Sequence, residues 1–290
     1  MQVKTFFYKY FLRFVPDSVW VRFQFRRKLG CWPNLKNPKT FNEKSQWLKL
    51  HVRNPFYTKL ADKFSVREYI KEIIGKDYLI PLFGVWDKFD DIDFEKLPNQ
   101  FVLKCTHDSG GLVICTDKAK FDINAARNKI SNSLKFNYYW AYREWPYKNV
   151  KPRIIAEKYI EDTCDNELRD YKLYTFNGIP RFLLIATGRK RDLHFDYFDM
   201  DGNHLKIPDT KALNNPENTP HLPKNFDKMK ELASCLGKNF PYVRVDFYEA
   251  DGKIFFGEIT FFDDGGYMKA TPPIWEYEWG KLIKLPEAKV

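Results

Sequence analysis

The chain has 290 residues, 44% of them apolar and 18% aromatic, which suffices for one large or two modest domains and excludes a disordered chain. Its 48 Lys and Arg exceed 38 Asp and Glu, for a net charge of +10. No apolar run reaches the roughly 18 residues of a spanning helix, the stretch from Phe6 to Val15 is broken by Lys9 and Arg13 with no cleavage site, and the five cysteines lack metal-ligand spacing. A soluble, cytoplasmic protein without structural disulfides is expected.

The charge excess sits at the start. Residues 1–63 hold 14 Lys/Arg against Asp17, Glu43 and Asp62, whereas the remaining 227 residues hold 34 basic and 35 acidic groups. Phe6, Phe7, Tyr8, Phe11, Phe14, Trp20, Phe23 and Phe25 are interleaved with these cations. A basic aromatic segment over residues 1–30 suits an anionic membrane surface at the inner face of the plasma membrane. The alternative is a helical layer packed on the main domain with solvated outer cations. No binding motif for nucleic acid accompanies the charge, and no such partner is expected.

In chain order, Asp17 to Leu29 reads as a helix opened by Pro16 and closed by Gly30. Thr40-Phe-Asn-Glu43 and Ser65-Val-Arg-Glu68 read as capping boxes of two further helices, the second stopping at Gly75. Strands follow at Leu79–Trp86, Phe101–Cys105 and Leu112–Thr116, the last two joined by the polar loop Thr106–Gly111. A helix from Ile123 to Phe136 is capped by Asp122, and Arg153–Ile160 is a strand. Leu168–Phe176 and Ile179–Thr187 form a hairpin across Asn177-Gly178. Asp227–Leu236 is helical with Gly237 as its stop, and Tyr242–Glu249 pairs with Lys253–Phe261 across Asp251-Gly252. The fold class is α+β with mostly antiparallel strands.

Candidate chemistry gathers on the last hairpin. Arg244 and Asp246 share one strand face, and Glu258 and Thr260 share a face of the partner strand. A two-residue Asp251-Gly252 turn would set Glu258 opposite Val245, on the wrong side. A three-residue turn, Ala250-Asp251-Gly252, is therefore expected, with Glu258 opposite Arg244 and diagonal to Asp246, close enough for a divalent cation to bridge the acids. The ordinary alternative is a solvated salt-bridge ladder. Lys104, central in an apolar strand, needs an anion, and the following loop with Ser109 offers backbone N–H groups to a phosphate. Glu157, at the end of Ile154-Ile-Ala-Glu157, suits an exocyclic amine of adenine.

Taken in this order the elements resemble the ATP-grasp superfamily, and more closely its teichuronopeptide-biosynthesis-type branch of surface-polysaccharide gene clusters, often labelled glycosyltransferases. The matching text includes Asn37-Pro-Lys-Thr-Phe-Asn-Glu-Lys44, Asp62-Lys63, Val66-Arg-Glu-Tyr69, Phe101-Val-Leu-Lys104, Ile154–Ile160, Asp170-Tyr-Lys172, Arg244-Val-Asp246 and Gly257-Glu258 with Thr260-Phe261, spanning roughly residues 30–270. The resemblance implies an ATP-grasp fold of two α+β subdomains gripping the nucleotide. The basic helical region would cover residues 1–75, the subdomain with the phosphate flap 76–150, and the subdomain with hinge and metal-binding hairpin 151–290.

The same resemblance implies roles. Lys63 and Lys104 would hold the α- and β-phosphates of ATP, with Ser109 and Gly110 in the flap and Lys172 near the phosphates. Glu157 would meet the adenine amine and the backbone of Lys158 and Ile160 the ring edge, while Asp162 or Asp165 would contact ribose. Asp246 and Glu258 would bind Mg²⁺, and Arg244, with Lys104, would be catalytic. Two departures are visible: Thr260 stands where the superfamily usually has Asn, and Asp108 stands where the branch usually has Gly, putting a carboxylate beside the γ-phosphate position. The implied protein is a carboxylate–amine ligase using ATP and Mg²⁺, joining an amine substrate to a carboxylate-bearing sugar or glycan. The alternatives are a glycosyltransferase with a nucleotide-sugar donor and a non-catalytic membrane-docked scaffold. All of them share one expectation, a cation-rich cleft between two sheets.

Overall fold

The computed structural model describes residues 12–162, 167–188, 192–207, 214, 219–269 and 274–287. Four helices come first: α1 (Asp17–Leu29), α2 (Phe41–His51), α3 (Phe56–Ala61) and α4 (Val66–Ile73). Then follow β1 (Leu82–Trp86), β2 (Phe101–Cys105), β3 (Leu112–Cys115), α5 (Ile123–Leu134), the single turn α6 (Tyr139–Tyr142) and β4 (Ile154–Lys158). The rest comprises β5 (Asp170–Phe176), β6 (Ile179–Thr187), β7 (His194–Phe198), β8 (His204–Leu205), α7 (Phe226–Gly237), β9 (Tyr242–Ala250), β10 (Lys253–Thr260) and α8 (Ile274–Leu282). The strands make a four-stranded sheet, β1-β4-β2-β3, and a six-stranded sheet, β10-β9-β5-β6-β7-β8. Every described pairing is antiparallel, so the α+β expectation holds.

Local chemistry accounts for many element ends. Gly30 closes α1 at φ 82°, a left-handed position that glycine takes without a Cβ clash. Thr40 caps α2: its Oγ1 accepts the Glu43 N–H at 3.2 Å, and Glu43 Oε2 accepts the Thr40 N–H at 3.2 Å. Asp122 Oδ1 accepts the Ala125 N–H at 2.9 Å and starts α5. Asn177 and Gly178 sit at φ 50° and 79°, two consecutive left-handed residues matching the twist of β5 and β6.

Two expectations fail here. The capping box at Ser65 does not form; its hydroxyl donates instead to Asp62 Oδ2 at 2.6 Å. An acid three residues upstream outcompetes the helix N–H groups for that hydroxyl. Gly237 is the last helical residue of α7 and not a left-handed stop beyond it, and a Cβ there would lie 2.5 Å from Thr175 Cγ2, so glycine lets α7 sit close on β5.

Among the described residues the apolar side chains form two large cores and a small third cluster. Phe101, Leu103, Ile154 and Ala156 of the small sheet pack with Ala126 and Ile130 of α5. The larger core joins the six-stranded sheet to α2, α3, α4, α7 and α8, so Phe41, Leu60 and Ile70 are buried with Val243, Val245 and Trp279. No helix among the described residues is long and apolar enough to cross a membrane. Cys31, Cys105, Cys115 and Cys235 are unpaired.

The seam of α2 with α8 carries a titratable lock. Glu276 accepts the Asn42 N–H at 3.3 Å and also the Asn42 side-chain amide. Burial raises its carboxyl from 4.5 to about 7. The folded chain thus holds this proton more tightly than the unfolded one, and stability should fall as pH rises from 4.5 to about 7. The expected loss is about 2 kcal/mol, reduced from the full shift because the residue is half-buried. Urea unfolding at several pH values should display this slope, and Glu276→Gln should flatten it.

Candidate functional site

A cleft of about 440 Å³ is lined by residues of both sheets. The small sheet and its loop supply Lys104, Glu157 and Asp108 to Leu112; the large sheet supplies Asp170, Lys172, Arg244, Asp246 and Glu258; Lys63, Val66 and Arg67 come from the start of α4. Of the residues singled out by sequence, Lys63, Lys104, Ser109, Gly110, Glu157, Lys172, Arg244, Asp246 and Glu258 meet here.

The hairpin reaches this arrangement by a route other than the one expected. Ala250 pairs with Lys253, so the turn is the two-residue Asp251-Gly252 at φ 50° and 74°, and the three-residue turn is wrong. A β-bulge at Gly257 corrects the face instead. Phe256 pairs with Phe247, the register then slips by one, and Glu258 lies directly opposite Asp246, with Thr260 opposite Arg244. Glycine avoids a tight fit at the bulge, where a Cβ would approach the Asp246 carbonyl to 3.0 Å and the Tyr248 ring to 3.2 Å.

Arg244 ties the acids together. Its Nε donates to Asp246 Oδ1 at 2.7 Å, and its Nη2 to Asp246 Oδ2 at 2.8 Å, Glu258 Oε1 at 3.1 Å and Thr260 Oγ1 at 3.2 Å. Its Nη1 reaches Asp263, which also accepts the Tyr174 hydroxyl at 2.6 Å. Lys172 is held between Asp246 and Asp170, 2.8 Å from the latter. Burial opposes the charge on Asp246, yet Arg244 and Lys172 outweigh it and hold this carboxyl below its ordinary range. Burial likewise opposes the charge on Lys172, and Asp170 and Asp246 overcome it. Asp246 is 1% exposed, whereas the Glu258 side chain is 40% exposed and faces the cleft. Thr260, the departure from Asn, donates to Glu258 Oε1 at 3.2 Å and so braces the acid.

Across the cleft, Lys104 Nζ lies 2.7 Å from Glu157 Oε2, and Arg67 Nη1 lies 2.9 Å from Glu157 Oε1. Lys63 Nζ donates to the backbone carbonyl of Asp108 at 2.5 Å, tying the flap to the start of α4. The Asp108 carboxylate, part of the cleft lining, turns its Oδ2 to accept the Ser133 hydroxyl of α5. Burial raises this carboxyl and Lys63 only partly offsets that. His107 is buried with its Nε2 3.1 Å from the Phe136 carbonyl, so that nitrogen carries the proton.

Three residues expected to meet the nucleoside lie apart from the cleft lining. The Lys158 N–H is committed to the Pro81 carbonyl at 2.9 Å, and its side chain lines a neighbouring cleft. Ile160 packs with Ile80 and Ala250. Asp162 is not in the cleft lining, and Asp165 lies outside the described residues.

The cleft is not cation-rich. Lys63, Arg67, Lys104, Lys172 and Arg244 face Asp108, Glu157, Asp170, Asp246 and Glu258, five charges of each sign. A polyanion entering such a site needs further positive charge. Among the described residues no group of three or more His, Cys, Asp and Glu forms a metal cluster. Two facing carboxylates do suit Mg²⁺, which takes one or two carboxylates, keeps waters and draws its other ligands from phosphates. The donor set therefore fits that ion. Arg67, Asp170 and Asp263 were given no role by sequence reasoning, although the first two lay within quoted segments; only the folded chain pairs them with Glu157, Lys172 and Arg244.

Comparison with known families matches residues 43–284 to the family described as TupA-like ATPgrasp. No curated protein matches the sequence. Among solved structures, an L-amino acid ligase from Bacillus licheniformis is 12% identical with a TM-score of 0.49, over 86% of this chain and 56% of that one. A D-alanine–D-alanine ligase from Helicobacter pylori is 12% identical with a TM-score of 0.43, over 85% and 69%. One from Bacillus anthracis is 18% identical with a TM-score of 0.40; this chain spans 57% of its length, and the match covers 70% of this chain.

Proposed function

Because the chain belongs to the TupA-like ATP-grasp family, we propose that it is an ATP- and Mg²⁺-dependent carboxylate–amine ligase. Its carboxylate would be borne by a sugar or glycan, such as a uronic acid, and its amine by an amino acid or amino sugar, in surface-polysaccharide assembly on the cytoplasmic side, where ATP is supplied. The observation that carries the reading is the facing of Asp246 and Glu258, braced by Arg244, across one cleft from Lys63 and Lys104.

A carboxylate is a poor electrophile. Attack of its oxygen on the γ-phosphorus of ATP forms an acyl phosphate and releases ADP; the amine then attacks the acyl carbon, loses a proton and expels phosphate. Both steps build negative charge on oxygens, so catalysis is largely positioning and electrostatic stabilisation. Lys63 and Lys104 would grip the α- and β-phosphates beneath the Ser109-Gly110 flap, with Lys172 behind them. Glu157 would orient Lys104 and the adenine amine, and Arg244 would stabilise the oxygen charge on the acyl intermediate. Mg²⁺ held by Asp246 and Glu258 would supply positive charge to the bridging phosphates. The segments 76–150 and 151–290 would be the two halves of the grip, with ribose met by Asp162 or Asp165.

The test is incubation with ATP, Mg²⁺, a uronic-acid acceptor and amino acids, with ADP assayed and the amide sought by mass spectrometry. Release of UDP or GDP from a nucleotide sugar without ATP consumption would replace this reading with glycosyl transfer. Absence of calorimetric binding of an ATP analogue would remove the nucleotide from the site altogether. Lys104→Met should weaken that binding about 10- to 100-fold, the loss of one charge-assisted contact, while Arg67 continues to neutralise Glu157.

A further inference from the structure

We propose that the outer face of α1, together with Phe14 and Trp32, is a docking surface for an anionic lipid bilayer. Four large apolar side chains here stand open to solvent: Phe14 at 74% exposure, Val19 at 55%, Phe23 at 51% and Trp32 at 65%. At roughly 100° per residue, Val19 and Phe23 form one stripe along the helix, with Arg22 and Arg26 on one side and Arg27 on the other. All three arginines are exposed. An apolar stripe bracketed by arginines is the pattern of a helix lying in the plane of a membrane interface, rings in the headgroup layer and guanidinium groups on lipid phosphates.

Among the described residues no acid forms an ion pair with Arg22, Arg26 or Arg27. The sole acid in residues 1–42 is Asp17, and it is turned inward, accepting the Tyr139 hydroxyl at 2.5 Å and pairing with Arg53 at 2.9 Å. Residues 1–11 continue the composition, with Lys4 and Lys9 among Phe6, Phe7, Tyr8, Tyr10 and Phe11 and no acid. Such a surface complements an anionic leaflet, each basic side chain adding about 1 kcal/mol of attraction.

The inner face of α1 gives the docking a direction. Val21 and Phe25 are buried, and the Phe25 ring lies 6.3 Å from that of Tyr267. Tyr267 directly follows the segment Asp263–Gly266, whose Asp263 holds Arg244. The docking helix is thus seated on the chain segment that braces the proposed catalytic arginine, and a bilayer beneath α1 would present lipid-anchored acceptors at this end of the molecule.

Vesicle flotation of the full chain tests the surface. The protein should float with phosphatidylglycerol vesicles, much less with phosphatidylcholine, and the difference should shrink in high salt. Arg22→Gln with Arg26→Gln should lower partitioning about fivefold per arginine, and Phe23→Ser about tenfold. Calorimetric binding of an ATP analogue should be unchanged in these variants, so failure of the membrane reading and failure of the nucleotide reading give separate signals. Equal partitioning of all variants, or no preference for anionic lipid, would overturn the proposal. So would a dimer in light scattering that Phe23→Ser dissolves, which would assign the face to a second copy of the chain.

Discussion

Glu258→Gln should lower ATP turnover by about 10²- to 10³-fold, the scale set by losing one preorganised electrostatic group, while the midpoint of urea unfolding stays close to that of the parent protein. Glu258 is 40% exposed at its side chain and contributes a single 3.1 Å contact to Arg244, which keeps Asp246 and Asp263 as partners. Asp246→Asn should lose turnover too, but also stability. Asp246 is buried and neutralises both Arg244 and Lys172. Removing its charge leaves two buried cations short of a partner, a loss of about 3–5 kcal/mol. Turnover and unfolding measured on both variants separate the two roles, and a fully active Glu258→Gln enzyme would show that this acid pair is not the reacting centre.

The second large effect lies outside the cleft lining. Gly280→Ala should destabilise the protein by about 3 kcal/mol or more, at the upper end of overpacking costs. A Cβ at Gly280 would stand 2.1 Å from the Lys39 carbonyl oxygen and 2.9 Å from the Thr40 carbonyl carbon, so the obstacle is backbone and has no rotamer by which to yield. α8 would have to lift from the start of α2, drawing the buried Trp279 ring off Phe41 and Phe182, now 5.7 and 5.0 Å away between centroids. Gly252→Ala, at a turn where nothing lies within 4 Å, should cost only the strain of its left-handed φ of 74°. Thermal unfolding of the two variants side by side measures the contrast.

What the sequence made legible follows the range of the forces involved. The Thr40 box, the Asp122 cap and the Asn177-Gly178 hairpin were readable because each is decided within four residues. Ser65 was misread because its hydroxyl has a rival acceptor, Asp62, which is itself held by Arg153 from 91 residues away. Lys104 and Glu157 stood out as charges in apolar strands, but their mutual pairing needs β2 beside β4, and Arg67 joins them from α4. The hairpin acids were found on a wrong premise. Alternation argued that they should share a face, and the turn was lengthened to achieve it, whereas the extra residue sits in the strand at Gly257. A bulge there depends on how β10 meets the Asp246 carbonyl and the Tyr248 ring, which no local motif announces.

That placement makes the hairpin a counting device whose parity can be restored. Deleting Gly257 alone would leave a regular two-residue hairpin in which Glu258 follows Phe256 directly and still stands opposite Asp246, whereas keeping Gly257 in the ladder without a bulge would carry Glu258 and Thr260 to the opposite side of the sheet, because side chains alternate with period two. The extra residue and the bulge that absorbs it cancel in the tally, so the deletion should keep the face. An enzyme still active after the deletion would mean that ancestry can add or lose the odd residue together with its bulge, so that related chains of differing strand length keep an unchanged reacting face.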